Sequence, residues 1–356
     1  MKALDALFHT LDTQPEIPLE GRLLFLHAQA HPALAALPGK LTCQQIWKPA
    51  AAALQRDGIT STREATGEFD TVLLLPERQR DTVLADFARA HESLVDGGTL
   101  VVALHNDWGA KRMEQQLADV AGELQTVSKN HCRVFWTRKH PAWKTDKLTA
   151  WQQNGAMRRI LDGRFWSMPG LFHWDHIDEG SALLAAHLPH TLAGAVADLG
   201  SGWGFLSDHL LRHCHDLDSL DLYEADARAL ECARRNAGLV LCPVRPKLHW
   251  TDVTQGLGGA RYDVVVMNPP FHDGRDANSL LGLKFITSAA QALKPGGELW
   301  LVANRHLPYE NLMSEAFESH RTVAENGSFK VLHGRNPTAV TRQAGRPRGH
   351  RPQRRR

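Results

Sequence analysis

Asn268-Pro269-Pro270-Phe271 sets an amide and an aromatic ring on either side of two prolines, directly after the apolar run Tyr262-Asp263-Val264-Val265-Val266-Met267. The β-branched run reads as a buried strand. Two prolines can neither extend a strand nor open an ordinary helix, so the chain must leave it in a rigid, extended loop. An amide and a ring held this way could grip a planar NH2 group and stack on the ring that bears it. An exocyclic amine on a nucleobase is a poor nucleophile, because its lone pair is delocalised. The Asn268 side-chain oxygen and a prolyl carbonyl, of Pro269 or Pro270, could both accept from its hydrogens. They would favour a tetrahedral nitrogen and stabilise the positive charge that builds there. Phe271 would stack on the base, as aromatic platforms do for unpaired nucleotides. A base inside a duplex cannot enter such a pocket, so it must be flipped out or single-stranded. His272 and Asp273 follow directly. Asp273 could contact the base or take up the released proton, although an Asp-Gly turn at Asp273-Gly274 explains it equally well.

Such an amine needs an electrophile, and Ala197-Asp198-Leu199-Gly200-Ser201-Gly202-Trp203-Gly204 has the form of a site for one. This segment leaves a strand and opens a helix, and its glycines let a ligand approach the backbone. The spacing G-x-G-x-G is not the G-x-G-x-x-G of a pyrophosphate site. Asp198 would repel a pyrophosphate but suits a ligand carrying an ammonium and a sulfonium. Glu224 ends the next strand, about twenty residues on, where an acid reads ribose hydroxyls. Asp252, after the third strand, is placed to accept from an adenine amino group. Gly200, Ser201, Gly202 and Gly204 with these three acids and Asn268 describe a pocket for S-adenosylmethionine. The glycine loop alone would fit an NAD-type site equally; the loop, Glu224 and the Asn-Pro-Pro-Phe element together are far more specific. Methyl transfer needs no metal. The cluster His209, His213, Cys214, His215 reads as a polar helix face and a turn.

The elements that must position these residues alternate between strand and helix. Strands are expected at 195–199, 219–223, 247–250, 263–267 and 297–303, and helices at 205–213, 227–237, 279–293 and 309–317. Two short strands at 321–324 and 329–332 form a closing hairpin. The fold class is α/β, a doubly wound sheet. The first half repeats the pattern. Phe69 to Pro76 parallels Tyr262 to Pro269, Leu94 to Ala103 parallels Leu293 to Ala303, and Val127 to Val134 parallels Val323 to Val331. Three matches in one order argue for two halves of one fold. The chemistry is not repeated. Phe25, His27, Gln29 and His31 stand where Asp198, Gly200, Gly202 and Gly204 would be. Leu75-Pro76-Glu77-Arg78 stands for Asn268 to Phe271. The first half is a non-catalytic copy, available for docking or for stabilising its partner.

Chain length allows two ordinary domains, expected at 1–150 and 151–335, with a tail at 336–356. From Arg335 onward there are eight arginines and no acid, so the chain before it holds 33 basic against 39 acidic side chains, a net of −6. The tail reads as disordered and basic, suited to neutralising phosphates. Cys43, Cys132, Cys214, Cys232 and Cys242 show no regular spacing and read as reduced thiols. No apolar run is long enough to cross a membrane. The first residues lack a signal-peptide core, and cytoplasmic residence is expected.

The segment Asn268-Pro269-Pro270-Phe271-His272-Asp273-Gly274 resembles the bacterial ribosomal RNA guanine-N2 methyltransferases, in particular the small-subunit (RsmC-like) branch. Pro169-Gly170-Leu171-Phe172, Asp178-Glu179-Gly180-Ser181, Val302 to Tyr309 and Phe329-Lys330-Val331 add to the likeness, which covers about 160–335 well and reaches into the first half. It implies two tandem Rossmann-like class I methyltransferase domains, the N-terminal one degenerate. It also implies S-adenosylmethionine at Asp198, Gly200, Glu224 and Asp252, a catalytic Asn268, and ribosomal RNA or the small subunit as partner of a monomeric enzyme. Trp203 is bulkier than the pattern leads one to expect, and the arginine tail lies outside it. The choice of ribosomal subunit rests on His272-Asp273-Gly274, since the large-subunit enzymes share the architecture. Adenine-N6 and protein glutamine methylation use the same clamp, the latter with Tyr where Phe271 stands. A non-catalytic RNA-binding scaffold is opposed by the intact second-half loop.

Overall fold

The computed structural model describes residues 2–270 and 277–338. Phe271, His272, Asp273 and most of the arginine tail lie outside these residues. The chain divides into two compact units. One takes Met1–Arg159 and Ser167–Asp175, and the other takes Ile160–Trp166 and the chain from His176. The first does not end at 150, because helix α5 (Thr145–Gly155) runs through that position and packs on α3 (Arg80–Ser93). A Cβ on Gly155 would stand 2.3 Å from the Cβ of Ala85, so the two helices meet where only glycine fits.

In the first unit the sheet comprises β1 (Arg22–Leu26), β2 (Lys40–Gln44), β3 (Ser61–Thr62), β4 (Phe69–Leu74), β5 (Leu94–His105), β6 (Gln125–Lys129) and β7 (Cys132–Arg138). Its order is β3-β2-β1-β4-β5-β7-β6. Helices α1 (Lys2–Thr13), α2 (Lys48–Arg56), α3, α4 (Ala110–Ala121) and α5 belong with it. After α5 in sequence the chain forms a separate pair of short strands, β8 (Arg158–Ile160) and β9 (Phe165–Ser167).

The second sheet comprises β10 (Ala193–Leu199), β11 (Asp216–Glu224), β12 (Lys247–Trp250), β13 (Tyr262–Met267), β14 (Leu293–Asn304), β15 (Phe317–Glu325) and β16 (Phe329–Pro337). Its order is β12-β11-β10-β13-β14-β16-β15, the same permutation as in the first unit. Helices α6 (Glu179–His187), α7 (Phe205–His213), α8 (Ala227–Ala237), α9 (Ala277–Ala292) and α10 (Tyr309–Ala316) cover its faces. The last two strands are antiparallel, as the hairpin reading requires. Strand β16 continues to Pro337, which pairs with Phe317, so the fold runs past the expected start of the tail.

A parallel sheet covered on both faces buries every residue of its central strands. In β13, Val264 and Val266 pack with residues of α6, α7 and α8, while Val265 and Met267 pack with α9 and α10. The duplication extends to single atoms. Gly194 (φ +80°) leaves room for Asp263, whose Oδ2 accepts from the Ala195 amide at 2.8 Å; Gly21 (φ +83°) does the same for Asp70 and the Arg22 amide at 2.7 Å. A Cβ at either glycine would come within 2.6 Å of the carboxylate, and positive φ there already disfavours other residues.

Candidate active site

Strands β12, β11, β10 and β13 are neighbours and parallel, and their carboxyl ends carry Asp252, Glu224, the glycine loop and Asn268. Leu199 lies opposite both Tyr223 and Met267, and Glu224 lies opposite Trp250, so these ends are level. Strand order reverses between β10 and β13, which opens the crevice where doubly wound sheets bind ligands.

Asp198 is fully buried, and alternation along β10 puts it on the α7 face with Val196. Ser207 of α7 donates to its Oδ2 at 2.6 Å, while Oδ1 has no hydrogen-bond partner among the described residues. Burial pushes the carboxyl up to about 7; the Ser207 bond opposes this and the charge of Glu224 adds to it. The glycine loop is stitched to β11: the Gly200 and Ser201 amides donate to the Tyr223 carbonyl at 2.8 and 3.2 Å. Gly202 has φ +53°, and a Cβ there would meet nothing within 4 Å, so its face of the loop is open. The Ser201 hydroxyl is buried and unpartnered among the described residues. Gly204 (φ +90°) caps α7 against Ala233, where a Cβ would have only 3.1 Å.

Glu224 organises the loop. Its Oε2 accepts from the Gly202 amide at 2.8 Å, and its Oε1 accepts from the Ala225 and Asp226 amides at 2.7 and 2.9 Å. Burial raises its pKa, and those amide bonds pull it back. Asp252 caps a short turn, with Oδ1 accepting from the Thr254 amide at 3.0 Å and its hydroxyl at 2.6 Å. Trp203 stays clear of the loop's open face. It is buried at 5.0 Å from the Phe165 ring and 6.0 Å from Phe205, and its carbonyl accepts from Asn236 Nδ2 at 2.7 Å. Its bulk fills an aromatic cluster.

Asn268 follows β13 and continues the alternation of Val264 and Val266 toward α6. Its Nδ2 donates to Asp178 Oδ2 at 2.7 Å and to Ser181 Oγ at 2.8 Å. Its Oδ1 is buried and has no partner among the described residues. Pro269 is buried and Pro270 half-buried. Asp178 is the N-cap of α6, with the same Oδ2 accepting from the Ser181 amide at 2.7 Å. The sequence signals that capping pair through an acid set just before a helical run. No spacing rule connects it to a residue ninety positions later, so its contact with Asn268 emerges only in the fold.

In the first unit the equivalent space holds protein. His27 keeps the left-handed backbone of Gly200, at φ +54°, but its buried Nε2 meets Asp86 Oδ2 of α3 at 2.9 Å. Gln44 Oε1 accepts from the His27 amide, and Gln45 Nε2 donates to the Ala28 carbonyl. The His190 ring stacks on that of His213 at 5.0 Å, and the His209 ring lies tilted against His213 at 4.6 Å. No described group of His, Cys, Asp or Glu is arranged to hold a metal ion. All five cysteines are free thiols, and no described helix is long and apolar enough to cross a membrane.

The family model for the Methyltransferase small domain matches residues 162–333. A protein of Escherichia coli named Ribosomal RNA small subunit methyltransferase C is 32% identical over 293 residues, covering 81% of each chain. The protein of that name from Shewanella loihica is 29% identical over 276 residues, 76% of this chain and 78% of the relative. Among solved structures, the T. thermophilus 16S rRNA N2 G1207 methyltransferase (RsmC), in complex with AdoMet and guanosine, superposes with a TM-score of 0.73. It is 25% identical, and the match covers 90% of this chain and 89% of that one. With this identity, coverage and duplicated sheet, the chain belongs to the ribosomal RNA small subunit methyltransferase C family.

Proposed function

We propose that this protein methylates the exocyclic N2 of a guanine in 16S rRNA, using S-adenosylmethionine. The observation that carries the reading is the Asn268 amide, anchored through its nitrogen, with an acceptor oxygen unpartnered among the described residues, at the end of the strand that neighbours the glycine loop's own. A buried carbonyl oxygen without a partner is costly, and it fits a site whose missing partner is an N–H donor of a substrate.

The residues beside it suit a cationic nucleoside cofactor. Asp198 offers negative charge with one oxygen, and Ser201 a hydroxyl, unpartnered among the described residues, and Gly202 an open backbone face. Gly200, Gly202 and Gly204 shape the loop. Glu224 would take ribose hydroxyls on the lone pairs its amide bonds leave over, and Asp252 would receive the adenine amino group. Bound there, S-adenosylmethionine supplies an electrophilic methyl group. The chain's own part is to ready the amine. Asn268 Oδ1 and the carbonyl of Pro269 or Pro270 accept from its two hydrogens and stabilise the charge that grows on nitrogen. We assign Phe271 to stacking on the flipped base and His272 and Asp273 to substrate contact. The enzyme acts in the cytoplasm as a monomer, on RNA of the small subunit. The first unit, its cofactor space filled by His27 and Asp86, serves RNA docking or the stability of the second.

Mass spectrometry of nucleosides from 16S and 23S RNA, each treated with the protein and labelled cofactor, tests the reading. N2-methylguanosine is the expected product. N6-methyladenosine alone, or labelling confined to 23S RNA, would overturn it. Asn268→Ala should lower the rate about a hundredfold or more, as loss of one preorganised charge-stabilising group does.

A further inference from the structure

We propose that Asp178 and Ser181 are positioning residues: by holding the amide nitrogen of Asn268, they fix which way the amide faces and present an acceptor to the target amine. The inference rests on the clamp role of Asn268.

An amide is chemically two-faced. One flip presents an oxygen to the crevice and the other an NH2, and free Asn side chains interconvert. Only the first flip can accept from an amine. Asn268 is held in it by two oxygens on α6, Asp178 Oδ2 at 2.7 Å and Ser181 Oγ at 2.8 Å. The Asp178 oxygen also takes the Ser181 amide, so one atom both caps the helix and orients the clamp. Asp178 is 7% exposed, which shields the pair from competing water. The reversed amide would set its oxygen against that carboxylate oxygen and turn an unsatisfied NH2 toward the crevice. Guanine carries an amine donor and a carbonyl acceptor on one ring. A face that offers only an acceptor selects the amine and rejects the carbonyl.

The test exploits the difference between an amide and a carboxylate. Asp178→Gly combined with Ser181→Ala removes both anchors, while Gly at 178 is tolerated as a helix cap. We expect kcat to fall about tenfold or more, since clamp geometry is lost, with KM for the cofactor unchanged. Asn268→Asp in the otherwise wild-type protein places two carboxylates against each other and should be nearly inactive. In the background lacking anchors it should recover about tenfold, because a carboxylate has two equivalent oxygens and needs no orienting. A purely structural role for Asp178 and Ser181 predicts the reverse, with Asn268→Asp at least as impaired there, and that result would overturn the proposal. So would kcat within twofold of wild type in the double variant. Protein labelled with 15N-asparagine gives a reading without turnover. The Asn268 side-chain protons should exchange slowly in wild type and quickly without the anchors; equal exchange refutes the anchoring. The product nucleoside of the wild type separately decides the guanine reading, and the variant ratios hold for any methylated amine.

Discussion

Asp198 couples burial to the proposed cofactor binding at a single residue. Its carboxyl is pushed up to about 7 from an ordinary value of 3.8, chiefly by loss of solvent. Between those values the folded chain holds a proton that the unfolded chain has released. By linkage, stability therefore falls as pH rises from about 4 to about 7. A cation bound nearby favours the ionised form, so binding must expel that proton at low pH. Cofactor affinity should climb with pH, by up to about tenfold per unit, and level off above about 7. Isothermal titration from pH 5.5 to 8.5 would show this slope. Asp198→Asn should flatten it and weaken binding at pH 8, and Ser207→Ala should move the plateau to higher pH by removing the bond to the ionised form. An affinity that is flat across the range in the wild type counts against an electrostatic role for Asp198.

At the scale of elements, the strands and their ends were legible because apolar runs and glycine turns are local signals. Helix α8 was read at its observed bounds, Ala227–Ala237, and so was α7, Phe205–His213. Strands were read short: β14 begins at Leu293 and β16 ends at Pro337, since ladder pairing extends a strand through residues such as Lys294 and Asn336 that carry no strand signal. The candidate acids and Asn268 lie at strand ends, where the sequence places them. Their contacts are not legible there, because Ser207 reaches Asp198, and Asp178 and Ser181 reach Asn268, across helix–sheet contacts that no periodicity encodes. The packing of α10 on α9 is of this kind. Tyr309 is fully buried, and a Cβ on Gly282 of α9 would stand 1.7 Å from its hydroxyl oxygen. Neither helix can shift without opening the sheet face they share with Met267. Gly282→Ala should cost about 1–3 kcal/mol, the usual penalty of overpacking, read as a lower denaturant midpoint with unchanged slope. The Tyr309 hydroxyl has no partner among the described residues. Tyr309→Phe should therefore be neutral or mildly stabilising, and a loss of more than about 1 kcal/mol would show that the hydroxyl has a bonding role.

At the scale of the whole molecule, charge is divided between the residues before Arg335 and those from it onward. The residues before Arg335 carry a net charge of −6, an unpromising balance for a partner made of phosphates. Seven of the eight terminal arginines follow Thr338. Where to cut is decided by the fold. Asn336 Oδ1 accepts from the Gly296 amide at 2.8 Å, Pro337 pairs with Phe317, and the Thr338 amide donates to the Ala316 carbonyl at 2.9 Å. A truncation after Arg335 would strip these contacts from β16 and confuse lost binding with lost structure. Removing 339–356 leaves them intact. If the arginines neutralise phosphates, each contact releases counterions and steepens the fall of log K with log salt by about 0.7 on single-stranded RNA. The truncated protein should therefore bind RNA with a slope shallower by about two or more, at an unchanged melting temperature. At saturating RNA its kcat should equal that of the full chain, because the proposed clamp, the glycine loop and the proposed α6 anchors all lie before the cut. An unchanged slope would assign RNA affinity to the folded units, and a fall in kcat at saturation would mean that the tail takes part in presenting the base.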